Sequence, residues 1–142
     1  MGTTYVYVST SVQSDVALSL EDTGPDGTGA KLNKSSVGPR DSNVKVATIP
    51  RSQSSGVTHS LEIAFRIGGG YLASLAVLMR GHDFGSMIWW RWRTTQLVAG
   101  AWVTDYQSHG TTVSLDGVSY TFRVTGKSTS GYDDIAVEIA RP

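Results

Sequence analysis

The sequence predicts an all-β domain, a single antiparallel β-sandwich spanning residues 1–142. Three observations predict it. Apolar and polar residues alternate with period two between turn residues along most of the chain. Eighteen serines, 15 threonines and 16 glycines supply turns and hydroxyl-bearing strand residues, with charged residues at only 17%. No stretch carries the helical period for long enough to predict a confident helix, and no segment recurs at a fixed period.

The elements follow in order. Residues 3–9 are rich in Thr, Tyr and Val and read as a first strand. Val16, Leu18 and Leu20 alternate with Ala17 and Ser19 in a second. Residues 21–43 hold Gly24, Pro25, Gly27, Gly29, Gly38 and Pro39, which reads as a long loop with one short strand around Ala30–Leu32; a stretch of this length is often functional. Residues 44–49 form a strand stopped by Pro50. Over Thr58–Ile67, Leu61, Ile63, Phe65 and Ile67 take one face, and Glu62, Ala64 and Arg66 the other. Gly68-Gly69-Gly70 is a turn. Tyr71–Met79 is nearly continuous in apolar residues, as expected of a strand buried on both faces, with a short helix as the alternative. Arg80–Ser86 reads as a loop. In Met87–Arg93, Ile88, Trp90 and Trp92 face one way, and Met87, Trp89, Arg91 and Arg93 the other. Leu97–Gln107 reads as a strand before a turn at His109-Gly110. Alternation returns at Tyr120–Val124 and Ile135–Ile139, giving nine or ten strands in all.

Composition excludes several functions. Twelve Lys and Arg balance 12 Asp and Glu, so the basic excess of an electrostatic nucleic-acid binder is missing and no nucleic-acid partner is expected. No apolar run reaches the roughly 20 residues of a membrane-spanning helix. With no cysteine there is no disulfide framework and no thiolate chemistry. His59, His82 and His109 lack metal-ligand spacing, so neither metal nor cofactor is expected. Glu21-Asp22 and Asp133-Asp134 sit beside glycines and read as turn residues. No Gly-x-Ser-x-Gly elbow and no phosphate loop occur; the chain is not expected to be an enzyme. The N-terminal residues do not resemble a signal peptide, and the expected location is the cytoplasm, or outside the cell by a route without a classical leader.

Recognition chemistry concentrates instead in residues 80–106. Three of the four tryptophans fall within Trp89-Trp90-Arg91-Trp92. On a strand, Trp90 and Trp92 share one face, for which core filling is the plain explanation. Trp89 and Arg91 take the other, where an aromatic ring beside a guanidinium suits stacking on a sugar or settling at a lipid headgroup. Trp102 and Tyr106 share a face of the next strand. Arg80, His82, Asp83 and Arg91 supply hydrogen-bonding groups for hydroxyls, with Phe84 beside them.

Over roughly residues 55–140 the order of features resembles the actinoporin-like family of sea-anemone cytolysins and fungal fruit-body lectins. The residues concerned are Ser55-Gly56-Val57, Leu61–Ile67, Gly70–Leu78, the loop His82-Asp83-Phe84 with the pair Trp89-Trp90, Ala101–Tyr106, and the closing Ala136-Val137-Glu138-Ile139. The resemblance implies a β-sandwich that binds glycans or zwitterionic phospholipid headgroups. It departs from the cytolysins at Arg80-Gly81, where they have Pro-Tyr. Of their headgroup tyrosines only Tyr106 has a counterpart, with Trp102 as a substitute. The chain starts at its first strand, without the amphipathic helix that lines the cytolysin pore, so binding is expected without perforation. The lectins are of similar length and also start at the strand. The leading expectation is therefore a non-catalytic, lectin-like carbohydrate-binding protein using Arg80, His82, Asp83, Phe84, Trp89, Arg91, Trp102 and Tyr106. The alternatives are a headgroup-binding, cytolysin-like protein in contact with a membrane surface, and a structural or assembly subunit. Weak single sites gain strength through multivalency, so a homo-oligomer is expected.

Overall fold

In the computed structural model the described residues are 3–22, 30–50, 58–82, 85–94, 110–127 and 134–141. They form eleven strands and no helix: β1 (Thr3–Thr10), β2 (Val16–Asp22), β3 (Lys31–Leu32), β4 (Ser36–Val37), β5 (Val44–Pro50), β6 (Thr58–Ile67), β7 (Gly70–His82), β8 (Gly85–Arg93), β9 (Gly110–Leu115), β10 (Val118–Lys127) and β11 (Ile135–Ala140). A six-stranded sheet has the order β3-β5-β1-β11-β10-β9, and a five-stranded sheet the order β4-β2-β6-β7-β8. The two make the expected sandwich. Every ladder is antiparallel except one: β1 and β11 run parallel at the centre of the six-stranded sheet. Two strands so far apart in sequence have no hairpin constraint on their direction, and local alternation carries no information about it.

The core lies between the sheets. Val6, Val8, Val46, Ile49, Leu61, Ile63, Phe65, Leu75, Phe122, Ile135, Val137 and Ile139 are all buried. Three rings tie the sheets together at the centre. Phe65 of β6 and Trp92 of β8 meet Phe122 of β10, with centroids 5.3–6.1 Å apart and tilted planes. Trp92 is 4% exposed, so it is core filling, and among the described residues its indole Nε1 has no hydrogen-bond partner. Its contribution is apolar area rather than polarity.

Several expectations are corrected. Of the expected loop Arg80–Ser86, residues 80–82 and 85–86 are strand: β7 continues to His82, and the ladder pairs Arg80 with Met87, Gly81 with Ser86 and His82 with Gly85. Glycines near a hairpin tip lower strand propensity, but ladder pairing overrides it. Glu21 and Asp22 are not turn residues; they end β2, opposite Glu62 and Leu61. Residues 21–43 are not one long loop. Lys31–Leu32 pairs with β5, near the short strand expected, and Ser36–Val37 pairs with β2, anchored by the buried Val37. Strand β9 was not legible as such, although Asp116-Gly117 closes it onto β10. Both residues have positive φ, 53° and 77°, as a two-residue hairpin turn requires. The expected strand Leu97–Gln107 and His109 lie outside the described residues, whereas Gly110, expected in a turn with His109, opens β9. The Gly68-Gly69-Gly70 turn is present, with Gly68 at φ 62° and Gly70 already paired to Ile67.

Three register shifts break the alternation, at Val6/Tyr7, Phe65/Arg66 and Val124/Gly126. Each inserts one extra residue and re-aims its neighbours. In β7 the extra residue is Leu72, buried with Ala73 in the core. Strict alternation would put Tyr71 on the core face with Ala73; the bulge puts it on the outer face, opposite Arg66.

Candidate functional site

The outer face of the five-stranded sheet is the face that β8 shares with the expected binding residues. Pairing in β6, β7 and β8 is in register over Thr58–Phe65, Ala73–His82 and Gly85–Arg93. Paired residues of antiparallel strands share a face. Positions 80, 82, 89 and 91 therefore fall on one face, the one carrying Glu62, Ser74 and Arg93. Trp89 stands opposite Leu78, and Arg91 opposite Ala76. The side chains of Arg80, His82, Trp89 and Arg91 lie outside the described ones, as do residues Asp83, Phe84, Trp102 and Tyr106 altogether. The register brings the first four positions together on the β7–β8 hairpin.

The middle of this face, on β6 and β7, is buried, while Ala17 and Ser19 of β2 are exposed and Arg66, Tyr71 and Arg93 half-buried. Glu62, Ala64, Ser74 and Ala76 all have little or no exposure. Together with core-facing Ala73, Leu75 and Val77, they make β7 a strand buried on both faces, as its apolar run predicts. A polar network crosses the sheet here. Arg93 Nε lies 3.4 Å from Glu62 Oε2, with side-chain exposures of 19% and 2%. The Tyr71 hydroxyl and Ser74 Oγ share a 2.7 Å hydrogen bond, and the same hydroxyl reaches the Arg93 carbonyl at 3.4 Å. Arg66 lies over the Tyr71 ring, 5.5 Å from its centroid, and donates to Ser19 Oγ at 2.8 Å. Burial lifts the Tyr71 phenol above its ordinary range; the hydrogen bond with Ser74 opposes this, the Glu62 charge adds to it, and Arg93 and Arg66 oppose it.

Sequence reasoning missed this network. Glu62 and Arg66 were placed on the correct face, but nothing local marks them as buried, and the bulge that brings Tyr71 to them has no periodic signature. Chemically, the arrangement fixes one guanidinium. Arg93 is held by a carboxylate beneath it, while positions 89 and 91 continue along the same strand face at two-residue spacing, about 6.6 Å per step. Ala76, between Glu62 and Arg91 in the same row, adds only a methyl group there. Among the described residues no group of His, Asp and Glu is arranged to hold a metal ion.

The molecule is thus defined as a two-sheet β-sandwich with a polar, arginine-bearing outer sheet face. No protein-family model matches the chain, and no curated protein matches it. Among solved structures it is similar to the lipid binding protein Nakanori, over 98% of this chain and 70% of that one, with 13% identity and a TM-score of 0.49. A likeness of that strength carries no argument about ligand or family.

Proposed function

We propose that the protein binds carbohydrate without catalysis, through the outer face of the β7–β8 hairpin. The observation that supports this most is the register, which gathers Arg80, His82, Trp89 and Arg91 on one face beside the Glu62-anchored Arg93. A tryptophan offers an apolar plane to the C–H face of a pyranose, and flanking guanidinium and imidazole groups hydrogen-bond its hydroxyls. The zero net charge of the chain favours a neutral ligand over a polyanion. Asp83, Phe84, Trp102 and Tyr106 are assigned to the proposed site by their chemistry in the sequence alone. Association of several chains would raise the avidity of such a site. A zwitterionic phosphocholine headgroup is the second reading, since an aromatic–arginine pair suits its cation and its phosphate respectively.

Intrinsic tryptophan fluorescence separates the two. Titration with neutral glycosides is expected to shift emission, and Trp89→Ala to abolish the shift. A shift produced only by phosphatidylcholine vesicles would replace carbohydrate with the headgroup. No response to either would remove both.

A further inference from the structure

The outer face of the six-stranded sheet carries a second constellation, independent of the β7–β8 hairpin. Alternation along β1 turns Val6 and Val8 into the core and leaves Tyr5, Tyr7 and Ser9 half-buried on the outer face. The two tyrosine rings pack edge-on at 6.4 Å, and Lys45 Nζ sits 4.1 Å from the Tyr5 centroid. The lysine is there because of the β1–β5 bulge, which buries Val46 and Ala47 together and pairs Lys45 with Tyr7. On the other side Tyr7 pairs with Ala136, which pairs in turn with Gly126. Two strands beside the ring thus carry a methyl group and a hydrogen atom, a low strip of sheet next to an aromatic wall.

Two residues further along, β1 borders a surface recess of about 260 Å³ lined by Ser9, Thr10, Ser11, Arg40, Asp41, Ser42 and Glu138. Three of its four hydroxyls already hold backbone N–H groups: Asn43 donates to Ser9 Oγ at 3.0 Å, Val12 to Thr10 Oγ1 at 2.9 Å and Arg141 to Ser11 Oγ at 3.3 Å. An oxygen that accepts in this way keeps its own O–H to donate. Each carboxylate is likewise half used. Asp41 Oδ2 takes the Gly38 N–H at 2.7 Å, and Glu138 Oε1 takes two N–H groups of Arg123 at 3.1 and 2.8 Å. Among the described residues Asp41 Oδ1, Glu138 Oε2 and the Arg40 guanidinium have no hydrogen-bond partner. Arg40 is held in a left-handed backbone conformation, φ 58°, with its N–H donated to the Val12 carbonyl at 3.2 Å.

We infer that this strip, from Tyr7 to the Arg40–Asp41 recess, is a saccharide-binding site. Hydroxyl and guanidinium donors and carboxylate acceptors line it together, as a sugar requires, since each hydroxyl both gives and receives a hydrogen bond. The charges cancel between Arg40 and Asp41 and between Arg123 and Glu138, which disfavours a simple anion or cation. The half-buried Tyr7 ring, on the strand paired with Ala136, offers the apolar plane that a pyranose covers.

Amide chemical-shift mapping of the whole chain tests this. The probes are methyl β-galactopyranoside, methyl β-glucopyranoside, methyl α-mannopyranoside and methyl N-acetyl-β-glucosaminide, each titrated past a Kd on the order of 1 mM. At least one is expected to shift the amides of Ser9, Ser42, Ala136 and Glu138. Tyr7→Ala and Glu138→Ala are each expected to weaken that binding at least about tenfold. Two substitutions are used because Glu138 is partly exposed and its loss does not threaten folding as that of Tyr7 could. Undisturbed amides in this strip with all four probes would overturn the inference, as would shifts that survive both substitutions. The amides of β7 and β8, read in the same spectra, report separately on the hairpin site, so either site can fail alone.

Discussion

The two outer faces of the sandwich each carry an arginine–glutamate pair, and they differ in what surrounds it. On the six-stranded sheet Arg123 and Glu138 meet at 2.8 Å with side chains 57% and 38% exposed. On the five-stranded sheet Arg93 and Glu62 are further apart, at 3.4 Å, but Glu62 is almost wholly removed from water. At water's dielectric the exposed pair attracts with about 1.5 kcal/mol, whereas at the effective dielectric of a protein the buried one attracts with about 5 kcal/mol, before desolvation is subtracted. In bare Coulomb attraction the shorter contact is therefore the weaker one. The difference also fixes what each face can do. The buried pair links β8 to β6 at Arg93, while the exposed pair leaves one carboxylate oxygen available at the rim of a recess.

The largest expected effect comes from breaking the buried pair. Arg93→Met removes a cation beside a buried carboxylate and is expected to destabilise the fold by about 3 kcal/mol, read as a fall in the urea midpoint at constant slope. A loss as small as that expected for the exposed pair would erase the contrast between the faces. Tyr71→Phe comes next. It deletes the hydrogen bond with buried Ser74, at about 1 kcal/mol, and changes the alkaline limb of stability. The Tyr71 phenol is raised in the folded state, so the fold holds its proton more tightly than the unfolded chain does. That stability is fully present below the ordinary phenol range near pH 10 and is lost as pH rises through the folded value. Urea titrations at neutral and alkaline pH should show a decline in the natural chain that Tyr71→Phe lessens; an identical decline in both would remove Tyr71 as its source. Arg123→Ala is the smallest, no more than about 0.5 kcal/mol and diminishing with added salt. A larger, salt-insensitive loss would mean that the exposed pair is structural after all.

Periodicity made much of this legible. Leu61, Ile63 and Phe65 are buried where alternation places them, Trp92 fills the core, and the apolar run after Tyr71 is a strand enclosed on both sides. What escaped has a common cause. Bulges at Leu72 and Val46 change faces without changing composition, so neither Tyr71 beside Ser74 nor Lys45 beside Tyr7 could be read from spacing. The parallel β1–β11 ladder brings Ser9 to Glu138 across almost the whole length of the chain, a long-range pairing that no local pattern encodes. The hairpin residues Arg80 and His82 were identified by side-chain chemistry but placed in a loop, because Gly81 and Gly85 look like turn residues until the ladder pairs them with Ser86 and His82.

The central claim is that the β7–β8 face binds carbohydrate through Trp89. It is tested most directly on a broad array of neutral and charged glycans, probed with the natural chain and with Trp89→Ala, each first shown to be folded by its thermal transition. Binding to a restricted set of neutral glycans by the natural chain, lost in Trp89→Ala, is the predicted result. Silence of the folded natural chain across the array, or equal binding by Trp89→Ala, would contradict it.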